Sequence, residues 1–569
     1  MKEEAILHIM DSHMSFPVNK NEMIIRIRTS KFDSLKVSII HGPKFTYHIY
    51  RYEEEMRLCY VDRLFNYFEI KLNVSDDRLA YIFKIEESGK TYYFSEDGIS
   101  KDYDFDLGFY NYFQMPSIND ADIMPCIPWM RSAVFYQIFI DRFNRGDYQK
   151  DDSYINSKWG DIPRQGSFTG GDLKGIIDRL DYLKDLGINT LYLTPIFKSP
   201  SNHKYDIIDY YQIDSQFGDK SILKELVEKA HKNGIRIILD AVFNHISKGN
   251  YMFKDVKDKG INSKYYDCFF IDGDYIEEDD VNYKTFSIVD YMPRLNTSNK
   301  EVQDYLIKVG KYWIEEFGID GWRLDVSDEV SHDFWRRFRK EIKSINKNAV
   351  LIGENWHDAA SYLQGDQFDS IMNYSFTKTS LDYFCNKIDA ENAAFKLNGI
   401  LMRNKDQVNR MNLNLIDTHD TYRFYTEVDE NKDKVLASIA LMTMFLGAPC
   451  LYYGTEIFLE GGYDPDSRRN FDWNLVEKNS KQINIIKSIF ELKNLAPIKH
   501  GDIKIACEKN HLIIRRSYEN EVISLYINLD QDISFDKKNS EILSSNKYNN
   551  EILEKDGYLI ILNRSSHEK

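Results

Sequence analysis

No two of the chain's six cysteines form a CxxC pair; Cys59, Cys126, Cys268, Cys385, Cys450 and Cys507 are scattered along 569 residues. That spacing supplies neither a metal knuckle nor a disulfide framework, and it fits thiols kept reduced in a cytoplasm. The start has no basic stretch followed by an apolar one, and no apolar run is long enough to span a bilayer. Neither a secretory leader nor a membrane partner is therefore expected. Heptads, internal repeats and low-complexity tracts are missing as well. Positive charge is in deficit: 74 Lys and Arg against 90 Asp and Glu leave a net charge of −16. Such a balance argues against nucleic acid and anionic membranes and favours a neutral substrate. What is present is an ordinary globular composition, 43% hydrophobic and 29% charged, on a length that predicts two to four domains. Aromatics reach 14%, with 39 Tyr. That abundance suits stacking on sugars, and tyrosine-rich cores equally well.

The patterning divides the chain into three. Residues 1–121 alternate with period two, as in Ile25-Arg26-Ile27-Arg28 and Phe68–Val74, and predict an all-β sandwich. Residues 122–500 interleave short apolar strands with amphipathic helices, the pattern of a parallel α/β architecture. Strands are predicted at Val134–Ile140, Thr190–Thr194, Arg236–Val242, Gly318–Leu324, Val350–Gly353, Ile371–Tyr374, Met411–Ile416 and Pro449–Tyr453. Helices are predicted over Asp172–Leu186 and Leu223–His231, and eight strands with helices between them make a (β/α)8 TIM barrel. A polar, aromatic insertion at 246–293 follows the third strand; no strong helix is expected in it. Period two returns over 501–569, which predicts a small C-terminal β domain.

In such a barrel the active site lies at the C-terminal ends of the strands. The fourth strand, Gly318-Ile319-Asp320-Gly321-Trp322-Arg323-Leu324-Asp325, delivers Arg323 and Asp325 to one side, because strand side chains alternate. A guanidinium there favours the ionised, nucleophilic form of Asp325. A purely structural ion pair is the other reading of those eight residues. The third strand ends in Asp240-Ala241-Val242-Phe243-Asn244-His245, the fifth in Gly353-Glu354-Asn355-Trp356-His357, and the seventh in Asp417-Thr418-His419-Asp420. His203-Lys204-Tyr205-Asp206 follows the second. Asp325, Glu354 and Asp420 thus meet His245, His419 and one arginine on a single face. Paired carboxyls facing a neutral substrate suggest glycoside hydrolysis: one ionised to attack the anomeric carbon, one protonated to release the leaving oxygen. On that reading Glu354 is the acid/base, and Asp420 and the histidines hold sugar hydroxyls. Metal-assisted hydrolysis competes for Asp/His clusters, but the chain has no HExxH.

These strand ends resemble the conserved regions of the α-amylase family (glycoside hydrolase family 13) at Asp240–His245, Gly321–Asp325, Gly353–Glu354 and His419–Asp420, in family order. Met292-Pro293-Arg294-Leu295-Asn296, Phe168-Thr169-Gly170-Gly171-Asp172-Leu173 and Gly461–Arg469 are similar to the cyclomaltodextrinase, neopullulanase and maltogenic amylase subgroup. So are Phe16-Pro17 and His41-Gly42-Pro43 in the N-terminal part. The resemblance implies Asp325 as nucleophile, Glu354 as general acid/base and Asp420 as transition-state stabiliser. It also implies Arg323, His245 and His419 around the sugar under attack, with Tyr205 stacked on it and His203 nearby. Asp464 and Arg468 would lie further toward the non-reducing side, and Phe286 and Trp356 among the acceptor sugars. The implied activity is retaining hydrolysis of α-1,4 bonds in cyclodextrins, maltooligosaccharides, pullulan and starch, with some transglycosylation. An oligo-α-glucosidase, a mainly transferring enzyme and an inactive glucan-binding relative are the alternatives. A homodimer through the N-terminal domain is a further implication. No cofactor is needed for the chemistry. The subgroup's calcium loop, however, reads here Arg145-Gly146-Asp147-Tyr148-Gln149-Lys150-Asp151-Asp152. Asp147, Asp151 and Asp172 remain as candidate ligands, but two cations stand where calcium needs oxygens. The expectation is an internal salt bridge in the metal's place.

Overall fold

The computed structural model describes residues 1–106, 111–537 and 540–564. The chain forms two compact units. One combines Met1–Cys126 with Ile388–Arg410 and Ile503–Arg515; the other combines Ile127–Lys387, Met411–Asp502 and Arg516–Lys569.

The first unit contains two antiparallel sheets. In one, Glu22–Ser30 pairs with Phe65–Asn73 along an unbroken register from Glu22↔Asn73 to Ser30↔Phe65. In the other, Lys36–Pro43 runs beside Leu79–Glu87. Alternation aims Met23, Ile25 and Ile27 of one sheet and Val37, Ile39, Phe83 and Ile85 of the other into a shared apolar layer. Arg26 departs from the simple alternation expected for its strand. It is buried and ion-paired to Glu69 at 2.9 Å, and also to Asp406.

The second unit is built on an eight-stranded parallel sheet made of Phe135–Ile138, Thr190–Leu193, Arg236–Ala241, Gly321–Leu324, Val350–Gly353, Ser370–Ile371, Leu413–Leu415 and Ala448–Tyr452. All eight overlap predicted positions; six are one to three residues shorter and two keep the predicted length. A parallel bridge from Met372 to Leu413 joins the last two neighbours and closes the barrel. The predicted start of the fourth strand is corrected. Gly318 has φ 69° and ends the helix Lys300–Phe317, so the strand itself begins at Gly321. Gly321 is required by proximity, since a Cβ there would lie 2.2 Å from the Val350 carbonyl oxygen of the next strand.

Two helical expectations also need correction. Asp172–Leu186 is two short helices, Leu173–Ile177 and Leu180–Asp185, because the chain unwinds at Asp178 and Arg179. The insertion does contain a helix, Tyr251–Lys259. The Asn250 side chain caps it, Met252, Phe253 and Val256 bury one face, and Gly260 stops it at φ 55°. Near the C-terminus, Ile552–Arg564 takes Glu521–Asn528 on one side and Glu541–Asn549 on the other, both antiparallel.

Candidate active site

Parallel register sets the floor of the site. Asp240 pairs with Arg323 across the third and fourth strands, and Leu324 with Gly353 across the fourth and fifth. Three acids therefore arrive at one guanidinium. Arg323 Nη1 donates to Asp325 Oδ1 at 2.7 Å and to both Asp240 oxygens at 3.0 Å. Its Nη2 lies 2.7 Å from Glu354 Oε1, an ion pair without hydrogen-bond alignment. Full ionisation would leave more negative than positive charge buried around one cation, so the cluster favours keeping a proton. Burial pushes the Asp325 carboxyl well above the usual carboxylate range; Arg323 opposes the rise, and Glu354 and Asp240 add to it. The expected simple bias of Asp325 toward ionisation is thus corrected, because burial outweighs Arg323, which is also shared among three acids. Burial likewise pushes Asp240 up to about 6.

Glu354 is held from three sides. Its Oε2 accepts the Val326 amide at 2.9 Å, its Oε1 accepts the Trp356 indole N–H at 3.2 Å, and its backbone carbonyl takes the Ser327 hydroxyl at 2.7 Å. Val326 has φ 43°, in the left-handed region that a β-branched residue enters only at a cost. That turn is what aims its amide at the acid.

Opposite stands a second network. The Tyr205 hydroxyl donates to Asp240 Oδ2 at 2.9 Å and meets His419 Nε2 at 2.7 Å, and the two rings stack with 4° between their planes. Gln137 donates its amide to His419 Nδ1 at 2.7 Å. The ring proton is thereby left on Nε2, facing Tyr205 and, at 3.1 Å, Asp420. Burial, with Arg468 and Arg323 nearby, holds His419 well below the usual histidine range, so the ring stays neutral. His203 and His245 are each lowered to about 3, chiefly by burial. Arg468 joins Asp420 at 3.1 Å and Asp464 at 2.8 Å.

A cavity of about 540 Å³ opens over this floor. Of the residues singled out from sequence, His203, Tyr205, His245, Phe286, Asp325, Glu354, Trp356, Asp420, Asp464 and Arg468 line it. Arg323 and His419 lie behind its wall, buried. Phe286 stacks on His245 at 4.7 Å and Trp356 on Tyr374 at 4.0 Å, while Trp356 keeps 46% of its surface exposed. A larger cavity, about 850 Å³, opens beside Tyr148, Trp159 and Trp473, but among the described residues only one carboxyl, Asp161, faces it. The chemistry belongs to the smaller one.

Gln137, Tyr192 and Tyr374 were not anticipated, and Asp240 was noted only as part of a strand end. Tyr192 donates to Asp240 Oδ2 at 2.8 Å. For two of them a signal was present: Gln137 is a polar side chain next to Ile138 on a fully buried strand, and Tyr192 sits between Leu191 and Leu193 on another. The acids named for the loop after the first strand are not gathered into one cage. Asp172 is buried, Asp147 Oδ1 accepts the amides of Gln149 and Lys150, and Asp151 is exposed and accepts the Ser153 amide. Among the described residues, no group of three or more His, Cys, Asp or Glu side chains is arranged to hold a metal ion.

Comparison with known proteins follows the same outline. The family described as "Alpha amylase, catalytic domain" matches residues 137–494, and "Alpha amylase, N-terminal ig-like domain" matches residues 1–119. A cyclomaltodextrinase of Thermoanaerobacter pseudethanolicus is 40% identical over 496 residues, covering 87% of this chain and 86% of that protein. Neopullulanase 2 of Thermoactinomyces vulgaris is 40% identical over 512 residues, covering 88% and 86%. A solved cyclomaltodextrinase structure superposes with a TM-score of 0.90 at 35% identity, covering 99% of this chain and 98% of that one.

Proposed function

The chain belongs to the α-amylase family of glycoside hydrolases, and from that premise we propose that it hydrolyses α-1,4 bonds of cyclodextrins and maltooligosaccharides with retention of configuration. The observation that carries this reading is the single guanidinium in contact with both Asp325 and Glu354 on the cavity floor. Two carboxyls within reach of one Arg323 are held close together. Close spacing, about 5–5.5 Å, suits double displacement; inversion needs about 6.5–9.5 Å to admit a water between the acids. Asp325 attacks the anomeric carbon as Glu354 gives its proton to the departing oxygen. Glu354 then draws a proton from the water that releases the sugar. Developing positive charge on the ring is met by Asp420, whose position Arg468 and His419 fix. His245 Nε2 is buried without a hydrogen-bond partner among the described residues and lies at the cavity, placed to meet a sugar hydroxyl.

Pullulan, which the name of the Thermoactinomyces vulgaris relative carries, is a second substrate on this reading, and the half-exposed Trp356 suits the sugar that receives or leaves. No helix among the described residues is long and apolar enough to cross a membrane. A cytoplasmic location fits the six free cysteines. Product analysis on γ-cyclodextrin, pullulan and soluble starch in parallel, with Asp325→Asn as control, tests the reading. Cyclodextrin cut faster than starch by the native chain alone supports it. Starch preferred over cyclodextrin rejects the substrate class, and no turnover on any of them rejects the activity.

A further inference from the structure

Lys150 is a buried cation that the proposed reaction does not use. Its ammonium donates to Asp172 Oδ2 at 2.8 Å, to the Gly170 carbonyl at 2.9 Å and to the Gln216 carbonyl at 2.8 Å. The side chain keeps only 8% of its surface, and that of Asp172 keeps 1%. Three N–H donors thus meet three oxygens, and one positive charge meets one carboxylate. The remaining capacity of Asp172 is taken by the amides of Gly146, Asp147 and Gly175 at 2.7–3.1 Å. Calcium does not fit this arrangement. It needs six to eight oxygens at about 2.3–2.6 Å, and the centre of the oxygens is filled by nitrogen. Arg145, the other cation of the loop, turns away from the cluster, toward the Asp147 carbonyl and Asp152.

The clamp extends past the loop. Gln216 is held a second time through its side chain, which accepts from Lys204 at 2.5 Å. Lys204 is fully buried, is ion-paired to Asp214 at 3.0 Å and has φ 65°. It stands between His203 and Tyr205, both of which line the catalytic cavity. Two internal ammonium groups therefore pin one glutamine between the loop after the first strand and the segment that presents Tyr205.

We propose that the Lys150 ammonium is a tethered stand-in for a divalent cation, which makes the fold calcium-independent, and that a neutral oxygen-bearing side chain at position 150 opens a calcium site there. Thermal unfolding with excess EDTA and with millimolar calcium, alongside calcium titration calorimetry, tests this on the native chain and two variants. The native melting temperature should be the same in both buffers, with no calcium binding heat. Lys150→Met should melt roughly 3–6 °C lower in both, as expected for a buried carboxylate stripped of its partner. Lys150→Asn should melt low in EDTA and recover about half the loss in calcium, with one site titrating. A native chain destabilised by EDTA, or binding calcium stoichiometrically, overturns the proposal even if neither variant folds. So does a Lys150→Asn variant that folds and ignores calcium.

Discussion

Asp240→Asn isolates the electrostatics of the shared guanidinium. Asp240 touches no part of the cavity, so the change acts through Arg323 and the two tyrosine hydroxyls that Asp240 accepts. Asparagine keeps the shape and one acceptor oxygen. Burial places the Asp240 carboxyl at about 6, so it is ionised at pH 7 and its charge helps to hold Asp325 up. Both acids bond the same Nη1, at 3.0 and 2.7 Å. Two charges about 5 Å apart at an effective dielectric of about 20 repel by about 3 kcal/mol, or about two pKa units. Arg323 between them halves this, leaving about one unit. The acid limb of kcat/KM reports ionisation of the nucleophile in the free enzyme. Removing a negative charge beside Asp325 makes its proton easier to lose, so the limb should move down by about one unit. One amide N–H must also face Arg323, donor against donor, and that mismatch should cost about 1–3 kcal/mol of stability. The assay is a pH profile of kcat/KM on a maltooligosaccharide for both proteins. A limb that stays put or moves up refutes the coupling of Asp240 to Asp325.

Asp325→Asn should abolish turnover yet raise the melting temperature at pH 7. The folded Asp325 binds its proton more tightly than the unfolded one, so its stability cost appears as pH rises from about 4 through the raised folded value. The gain should therefore fade toward pH 4, and scanning calorimetry at both pH values checks it; a lower melting temperature at pH 7 sinks the idea. In the N-terminal unit, Phe45, Ile49, Tyr50 and Tyr52 are each more than 60% exposed within eight residues. If this patch pairs two copies, light scattering should give twice the 67.2 kDa chain mass for the native protein and once that mass for Phe45→Ser/Tyr52→Ser. A native monomer removes the dimer from the reading.

The strand ends were legible because each rests on local rules. A run such as Trp322-Arg323-Leu324-Asp325 announces strand, side and charge within four residues. The helix at Tyr251–Lys259 was not, although Asn250 and Gly260 punctuate both its ends, because only two turns separate them and Lys and Asp fill its outer face. The break at Asp178 and Arg179 was hidden for the opposite reason: Leu173, Ile176, Ile177, Leu180 and Leu183 keep an apolar stripe across it, and tertiary packing overrides the period. Pairwise reasoning fails most clearly at Arg323. In sequence its neighbour is Asp325, two residues on, and one cation beside one acid means a depressed pKa. Parallel register brings Asp240 and Glu354 to the same guanidinium from 83 residues before and 31 after, and burial, with those two charges added to it, outweighs the cation and raises the pKa. The same holds for Lys150. Asp147, Asp151 and Asp152 are near it in sequence, yet its ammonium is held by Asp172 and two carbonyls that the barrel brings to it. A buried charge is set by the whole layer it sits in, and the layer is a property of register. Motifs therefore locate the acids of such a site, while only the assembled sheet decides which of them keeps the proton.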